Sequence, residues 1–277
     1  PVIICNVQRG GPSTGLPTKT EQSDLLQSLF SRHGDCPLPV IAAHSPSDCF
    51  ECAIEACRIA LTYCTPVIFL SDLYVANGAE PWLVPNAADL PAIEAKFADP
   101  DEEYISYKRN PETLARTQAI PGQPGLEHRI GGLEKSEDGG VNYDPENHEQ
   151  MTHLRAEKVE RIADTIPPTQ LHGEAEGDLL VIGWGGTYGA ITSATQAMQA
   201  EGFSISSLHL RHLNPLPKDL GEIIKRFKKV IVPELNLGQL SLILRAKYLV
   251  DAIPLTKVQG KPFKVSELRD SFHKELS

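Results

Sequence analysis

The sequence lacks the signatures of several large function classes. No apolar run approaches the roughly 20 residues of a membrane-spanning helix. Basic residues are in deficit: 26 Lys and Arg stand against 36 Asp and Glu, for a net charge of -10. That balance argues against nucleic acid or an anionic membrane as the main partner. There is no Ser-His-Asp elbow, no phosphate-binding P-loop and no zinc spacing of Cys and His. Internal repeats and low-complexity tails are also missing. No signal-peptide pattern precedes the first strand. The chain opens on Pro1 rather than Met and enters a core strand at once, so a portion N-terminal to it is expected.

What is present is an ordinary globular composition, 41% hydrophobic and 22% charged over 277 residues, which is enough for two domains. Four of the six cysteines, Cys49, Cys52, Cys57 and Cys64, lie close together in sequence. They do not read as cluster ligands. Ser45-Pro46-Ser47-Asp48 has the pattern of a helix start, with proline in the first turn and an acid behind it. Phe50, Ile54, Cys57, Leu61 and Cys64 then recur at helical spacing. Along one helix Cys49 and Cys64 would stand roughly 22 Å apart, so core packing is the expected role. Reduced cysteines point to a cytoplasmic protein.

In chain order, residues 1–75 read as part of a parallel α/β unit. Strands are expected at Val2–Val7, Val40–Ala43 and Pro66–Ser71, and helices at Lys19–Arg32 and Pro46–Tyr63. Residues 76–177 are irregular and dense in Pro and Gly, with one helix near 147–165; such a stretch is usually functional or wrapped on a partner. Residues 178–277 alternate strand and helix as a doubly wound unit, with strands at Leu179–Gly183, Ser204–Leu210, Val230–Pro233 and Leu255–Val258. The loop Gly183-Trp184-Gly185-Gly186-Thr187-Tyr188-Gly189 is a poor dinucleotide fingerprint. Tyr188 stands where the third glycine belongs, and the second strand ends in His209-Leu210-Arg211 with no acid for a ribose. A nucleotide-binding module remains one alternative.

The most informative stretch is Gln8-Arg9-Gly10-Gly11-Pro12-Ser13-Thr14-Gly15-Leu16-Pro17-Thr18, between the first strand and first helix. Parallel sheets place ligands at such strand-to-helix loops. The loop offers glycines for close backbone approach, hydroxyls at Ser13, Thr14 and Thr18, and the Arg9 guanidinium, which suits a carboxylate. A surface ion pair is the alternative role for Arg9, and Thr18-Lys19-Thr20-Glu21 also fits a helix capping box. His44, at a second strand end, is either site-lining or a helix-cap neighbour. His128 and Arg129, set between glycines at 125–132, either face a site or belong to a solvated loop.

The same stretch resembles the Q-R-x-G-P-S-T-G-x-P-T signature of the alpha subunit of 2-oxoacid:ferredoxin oxidoreductases. The resemblance extends through Thr113-Leu114-Ala115-Arg116 and Asp144-Pro145-Glu146-Asn147-His148. It continues with Gly183–Gly189, Leu210–Pro217 and Glu234–Leu240. It implies part of a pyrimidine-type thiamine-diphosphate-binding domain followed by a transketolase C-terminal-like domain. It implies that Arg9 and Thr18 contact the carboxylate of a 2-oxoacid, with Thr14 beside them. It implies CoA-dependent oxidative decarboxylation to an acyl-CoA, with electrons passed to ferredoxin, and 2-oxoglutarate is favoured among substrates. Its distal carboxylate would need a second cation, for which His44, Lys108, Arg109 and His128 are candidates. Thiamine diphosphate would be shared with a beta subunit that holds Mg²⁺ and an iron–sulfur cluster. The cofactor-activating Glu of the family and its Tyr-Pro-Ile-Thr-Pro type motif are not found, so this chain alone is expected to be inactive. A dehydrogenase E1 or transketolase-type enzyme is the other alternative.

Overall fold

The apolar run that opens the sequence becomes a parallel strand, and a second sheet is built onto the first. The computed structural model describes residues 1–277. Its first part contains β1 (Val2–Gln8), α1 (Leu25–Phe30), β2 (Val40–Ala42), α2 (Asp48–Tyr63), β3 (Pro66–Asp72) and the single turn α3 (Leu73–Ala76). β3 lies between β1 and β2 and is parallel to both, with Val2 opposite Pro66 and Gln8 opposite Asp72. The apolar stripe of α2 packs Cys52, Ala56, Ile59 and Tyr63 against Ile41, Val67 and Phe69. Cys52 is therefore a core residue, and burial pushes its thiol pKa up. Cys64 adopts a left-handed conformation (φ 46°) and ends α2, its N–H donating to Ala60 O.

The helix expected over Lys19–Arg32 is shorter than its pattern. Only Leu25–Phe30 is helical, with Asp24 at its N-cap. The preceding backbone is held elsewhere: Gln22 N–H donates to Leu235 O at 3.0 Å, and Asp24 N–H donates to Gln8 Oε1 at 2.9 Å. The capping box at Thr18 consequently does not form.

Between α3 and the second sheet the chain is irregular, as its Pro and Gly content predicts. Its one long helix, α4 (Pro145–Glu160), starts two residues ahead of the expected position. There the Asp144 carboxylate accepts the Glu146 and Asn147 N–H groups and Pro145 opens the first turn. The helix tightens into a 3₁₀ turn at Arg161–Thr165.

The second sheet contains β4 (Leu171–His172), β5 (Gly177–Trp184), β6 (Ile205–Leu210), β8 (Phe227–Glu234) and β9 (Ala252–Thr256). Its helices are α5 (Tyr188–Ala200), α6 (Leu220–Ile224), α7 (Gln239–Tyr248) and α8 (Val265–Leu276). Strand order is β4-β6-β5-β8-β9, parallel except for β4. α6 stops short of the expected Leu220–Phe227 because Phe227 begins β8. β9 lies three residues before its expected position and includes Pro254, which an edge strand tolerates.

One strand belongs by sequence to the second part and by pairing to the first. β7 (His212–Asn214) runs antiparallel to β2 and extends the first sheet to the order β1-β3-β2-β7. The largest core cluster, 21 buried residues, joins Leu25, Val40, Ala42, Ile68 and Leu70 to Leu180, Ile182, Trp184, Leu208, Leu210 and Leu213. The two α/β units therefore share a core. No helix is long and apolar enough to cross a membrane.

Candidate active-site loop and the junction behind it

Gln8–Thr18 leaves the C-terminal end of β1 and closes on itself. Gly10 N–H donates to Lys19 O (2.9 Å) and Leu16 N–H to Gly10 O (2.8 Å), so a short bridge shuts the loop. Gly15 is obligatory: its φ is +46°, and a Cβ there would lie 2.2 Å from Gly10 O. The base of the loop is anchored to the start of α1. Gln8 Oε1 takes the Asp24 N–H, and Asn6 Nδ2 donates to Asp24 Oδ2 at 3.1 Å. The closing end is braced by the second unit, since a side chain at Gly260 would meet Lys19 Cβ at 2.8 Å and Leu16 Cδ1 at 3.3 Å.

Arg9 is half-buried and folds over its own loop. Nη1 donates to Thr14 O and to Gly10 O (3.3 Å), and Nη2 donates to Ser13 O (3.2 Å). These bonds engage three of the five guanidinium N–H groups. Nε–H and one N–H of Nη2 keep no protein partner, and together they form the side-on fork that takes a carboxylate. No ion pair consumes the Arg9 charge. Thr18 lies exposed in a turn with its hydroxyl unpaired. Thr14 is exposed and contributes its carbonyl to Arg9.

Structure places the remaining candidates away from this loop. His44 follows β2, two strands from β1 and thus about 10 Å off in the sheet. Its Nδ1 lies 2.7 Å from Asp48 Oδ2, and its ring packs on Tyr188 (centroids 4.4 Å apart). Arg211 pairs with the other Asp48 oxygen. Burial raises the Asp48 pKa, but the bonds from His44 and the charge of Arg211 outweigh it and hold the carboxyl below its usual range. His44, Tyr188 and Arg211 line, with His172 and His209, a cleft of about 350 Å³. His209 Nε2–H donates to Gly185 O (3.0 Å), and burial, with His44 nearby, pushes its pKa down to about 3. His128 Nδ1 lies 2.9 Å from Leu126 O, and its ring packs edge-on against Tyr104. Arg129 and Lys108 are exposed in the same irregular segment, and Arg109 lies beside Met151.

The glycine loop after β5 holds protein rather than a nucleotide. Ligands of doubly wound sheets occupy the crevice where strand order reverses, here between β5 and β8. Gln22 fills it: Nε2 donates to Trp184 O (2.7 Å), Oε1 accepts Leu235 N–H (2.9 Å), and its carbonyl accepts from Asn236 Nδ2 (2.8 Å). Beside it Asp72 accepts the Gly186 N–H (2.7 Å), the Thr20 hydroxyl (3.1 Å) and the Tyr74 and Val75 N–H groups. A Cβ on Gly185 would lie 2.7 Å from Gln22 Nε2, and one on Gly186 2.6 Å from Asp72 Oδ1. Trp184 is fully buried, its indole N–H donating to Glu234 Oε1 (3.2 Å). Sequence reasoning passed over Gln22 and Asp72. The glycine pair without a ribose-binding acid was the available signal that a protein group comes close there.

Comparison with known proteins agrees with this picture. Residues 1–143 match the family model described as pyruvate flavodoxin/ferredoxin oxidoreductase, thiamine diphosphate-binding. The chain is 52% identical over 272 residues to the 2-oxoglutarate oxidoreductase subunit KorA of Mycobacterium tuberculosis, covering 97% of this chain and 41% of the relative. It is 34% identical to the alpha subunit of 2-oxoacid:ferredoxin oxidoreductase 2 of Aeropyrum pernix, covering 95% of this chain and 42% of that one. Among solved structures it superposes on a 2-oxoglutarate:ferredoxin oxidoreductase from Magnetococcus marinus with 2-oxoglutarate, coenzyme A and succinyl-CoA bound. That match has a TM-score of 0.92 at 35% identity and covers 99% of this chain and 48% of the other. The chain thus spans less than half the length of these relatives. With the family model matched over more than half its residues and a relative 52% identical along nearly its whole length, the chain belongs to the pyruvate flavodoxin/ferredoxin oxidoreductase family.

Proposed function

We propose that this chain provides the substrate-carboxylate side of a 2-oxoacid:ferredoxin oxidoreductase, with 2-oxoglutarate as the favoured substrate. The observation that carries the reading is the free Nε/Nη2 fork of Arg9. It sits on a loop whose fold matches, along nearly the whole chain, an oxidoreductase solved with 2-oxoglutarate bound. The reaction is oxidative decarboxylation of the 2-oxoacid to an acyl-CoA, with single electrons passed to ferredoxin.

The donor set of Gln8–Thr18 fits a substrate carboxylate. It is one guanidinium with neutral hydroxyls and no carboxylate, so it fits poorly the metal-bound diphosphate of thiamine diphosphate. Diphosphate, Mg²⁺ and an iron–sulfur cluster are assigned to a beta subunit. When bound, thiamine diphosphate supplies a carbanion and an electron sink. What this chain's residues do is geometric. Arg9 takes both oxygens of the C1 carboxylate, Thr18 donates from the loop's far end, and the 2-oxo carbon is fixed facing the cofactor. Free cysteines fit a cytoplasmic enzyme.

The test is Arg9→Ala in the assembled enzyme, followed by ferredoxin reduction with a panel of 2-oxoacids. Two hydrogen bonds to a charged group are worth about 3–5 kcal/mol, so kcat/KM should fall by roughly 150- to 5,000-fold. Arg9→Lys should recover little, because lysine keeps the charge but neither the fork nor the loop clamp. Unchanged kinetics in Arg9→Ala would refute the assignment.

A further inference from the structure

The irregular segment that wraps the first sheet builds a cavity of about 680 Å³ at the end of the molecule opposite the Arg9 loop. Its floor is made by residues 33–36, which lead into β2, and by Cys64, which leads into β3. The Arg9 loop instead lies where β1 leaves the sheet. The 16 residues of α2 separate the two ends by about 24 Å.

Five lysine and arginine side chains line the cavity, Arg109, Arg116, Lys135, Arg155 and Lys158, against two carboxylates, Asp35 and Glu134. On a chain of net charge -10 this is a strong local reversal. Glu134 is already engaged by Arg155 (2.8 Å) and by His148. The other four cations form no ion pair. Lys135 is 2% exposed, and its Nζ donates only to Gly131 O (2.7 Å) and Leu133 O (2.6 Å). Lys158 donates to Cys64 O at 3.4 Å. Arg109 donates to Leu114 O, and its Nε is buried without a partner. Arg116 stacks over the Tyr107 ring, 5.1 Å from its centroid.

Partly buried cations without counter-ions are unfavourable unless something neutralises them. The cluster registers its own repulsion. Burial and the Arg109 charge push the Lys158 pKa down to about 8, and burial with Arg155 and Arg116 lowers that of Arg109. The volume falls in the range of small-molecule sites. We infer that this cavity is a binding site for a small polyanion, an organic phosphate or a di- or tricarboxylate, remote from the Arg9 loop. Arg109 and Lys158 supply its unpaired charge. The inference does not depend on the substrate proposed for Arg9.

The test uses the assembled protein and two probes, pyrophosphate and citrate, at constant ionic strength against chloride and acetate. Isothermal titration should show saturable binding of at least one probe, weakened at least tenfold by Arg109→Gln and by Lys158→Gln and unaffected by Arg9→Ala. A second readout is acetylation of Lys158 by acetic anhydride, followed by mass spectrometry. The bound probe should slow it at least tenfold. Absence of saturable binding, binding that survives both charge removals, binding lost in Arg9→Ala, or an unprotected Lys158 would each overturn the inference. So would binding confined to an acidic peptide such as polyglutamate.

Discussion

Replacing Gly186 with alanine should loosen the joint between the two sheets. The new methyl would stand 2.6 Å from Asp72 Oδ1, 2.8 Å from Oδ2 and 3.0 Å from Cγ. Ordinary carbon contacts begin near 3.5 Å, so a gap of about 0.9 Å must open. The carboxylate cannot swing aside without giving up Thr20 and the N–H groups of Tyr74 and Val75. The junction must therefore spread, and the 2.7 Å bond from Gly186 N–H to Asp72 Oδ2 goes first. Overpacking costs roughly 1–3 kcal/mol and a lost bond to a charged group roughly 1.5–3, together about 3–5 kcal/mol. Unfolding entropy near 2.1 cal/mol/K per residue amounts to about 0.6 kcal/mol/K for this chain, so Tm should drop by roughly 5–9 °C. Trp184, buried in the same junction, reports the transition by fluorescence. Gly189→Ala is the control, because a Cβ there meets nothing within 4 Å. Its Tm should stay within about 2 °C of the parent. A Gly186→Ala shift as small as the control's would refute the close-approach argument.

Other outcomes follow from the same contacts. Gln22→Ala leaves Trp184 O and Leu235 N–H buried without their partners. It should cost about 2–5 kcal/mol by denaturant titration, and Gln22→Glu should cost no less, because it sets a buried carboxylate against the Trp184 carbonyl. Glu55 is partly buried, which raises its pKa, but bonds from Arg58 (2.7 Å) and His212 (2.9 Å) outweigh burial and hold it at about 2. Its stabilising contribution is thus fully present above pH 4.5 and lost as pH falls toward 2. Set against Glu55→Gln, the parent should be more stable by about 3 kcal/mol at pH 7, and the difference should vanish near pH 2. A pH-independent difference between the two would show that the ion pairs are not its source.

Much of the architecture was legible because period and punctuation agreed. Val2–Val7, Pro66–Ser71 and Ser204–Leu210 are compact apolar runs beside turn residues, and each formed a strand within two residues of its expected limits. Failures came where tertiary partners overrode local pattern. Residues 19–24 carry helical pattern, but Gln22 is bound across the junction and α1 begins later. β7 is three residues long and follows β6 after a single residue, so no periodicity announces it; its pairing with β2 depends on how the units dock. The loop that carries Arg9 stands out in the sequence, and the bonds Arg9 makes within that loop do not. Carbonyls of Ser13 and Thr14 reach it only because Gly15 turns the chain back. Arg109 is a sequence candidate for a distal carboxylate near Arg9, yet the fold carries it to the opposite end, a displacement no local motif encodes.

The shared core also bears on how the chain could be divided. The tether between α3 and β4 is long and loosely patterned, so it provides only a weak effective concentration. Doubling such a tether changes closure by just about 0.6 kcal/mol. Recognition between the halves therefore resides in Gln22, Asp72, β7 and the joint core, as at a subunit interface. A chain cut in its exposed stretches should reassemble from two polypeptides, with the Arg9 loop still braced from across the junction by Gly260.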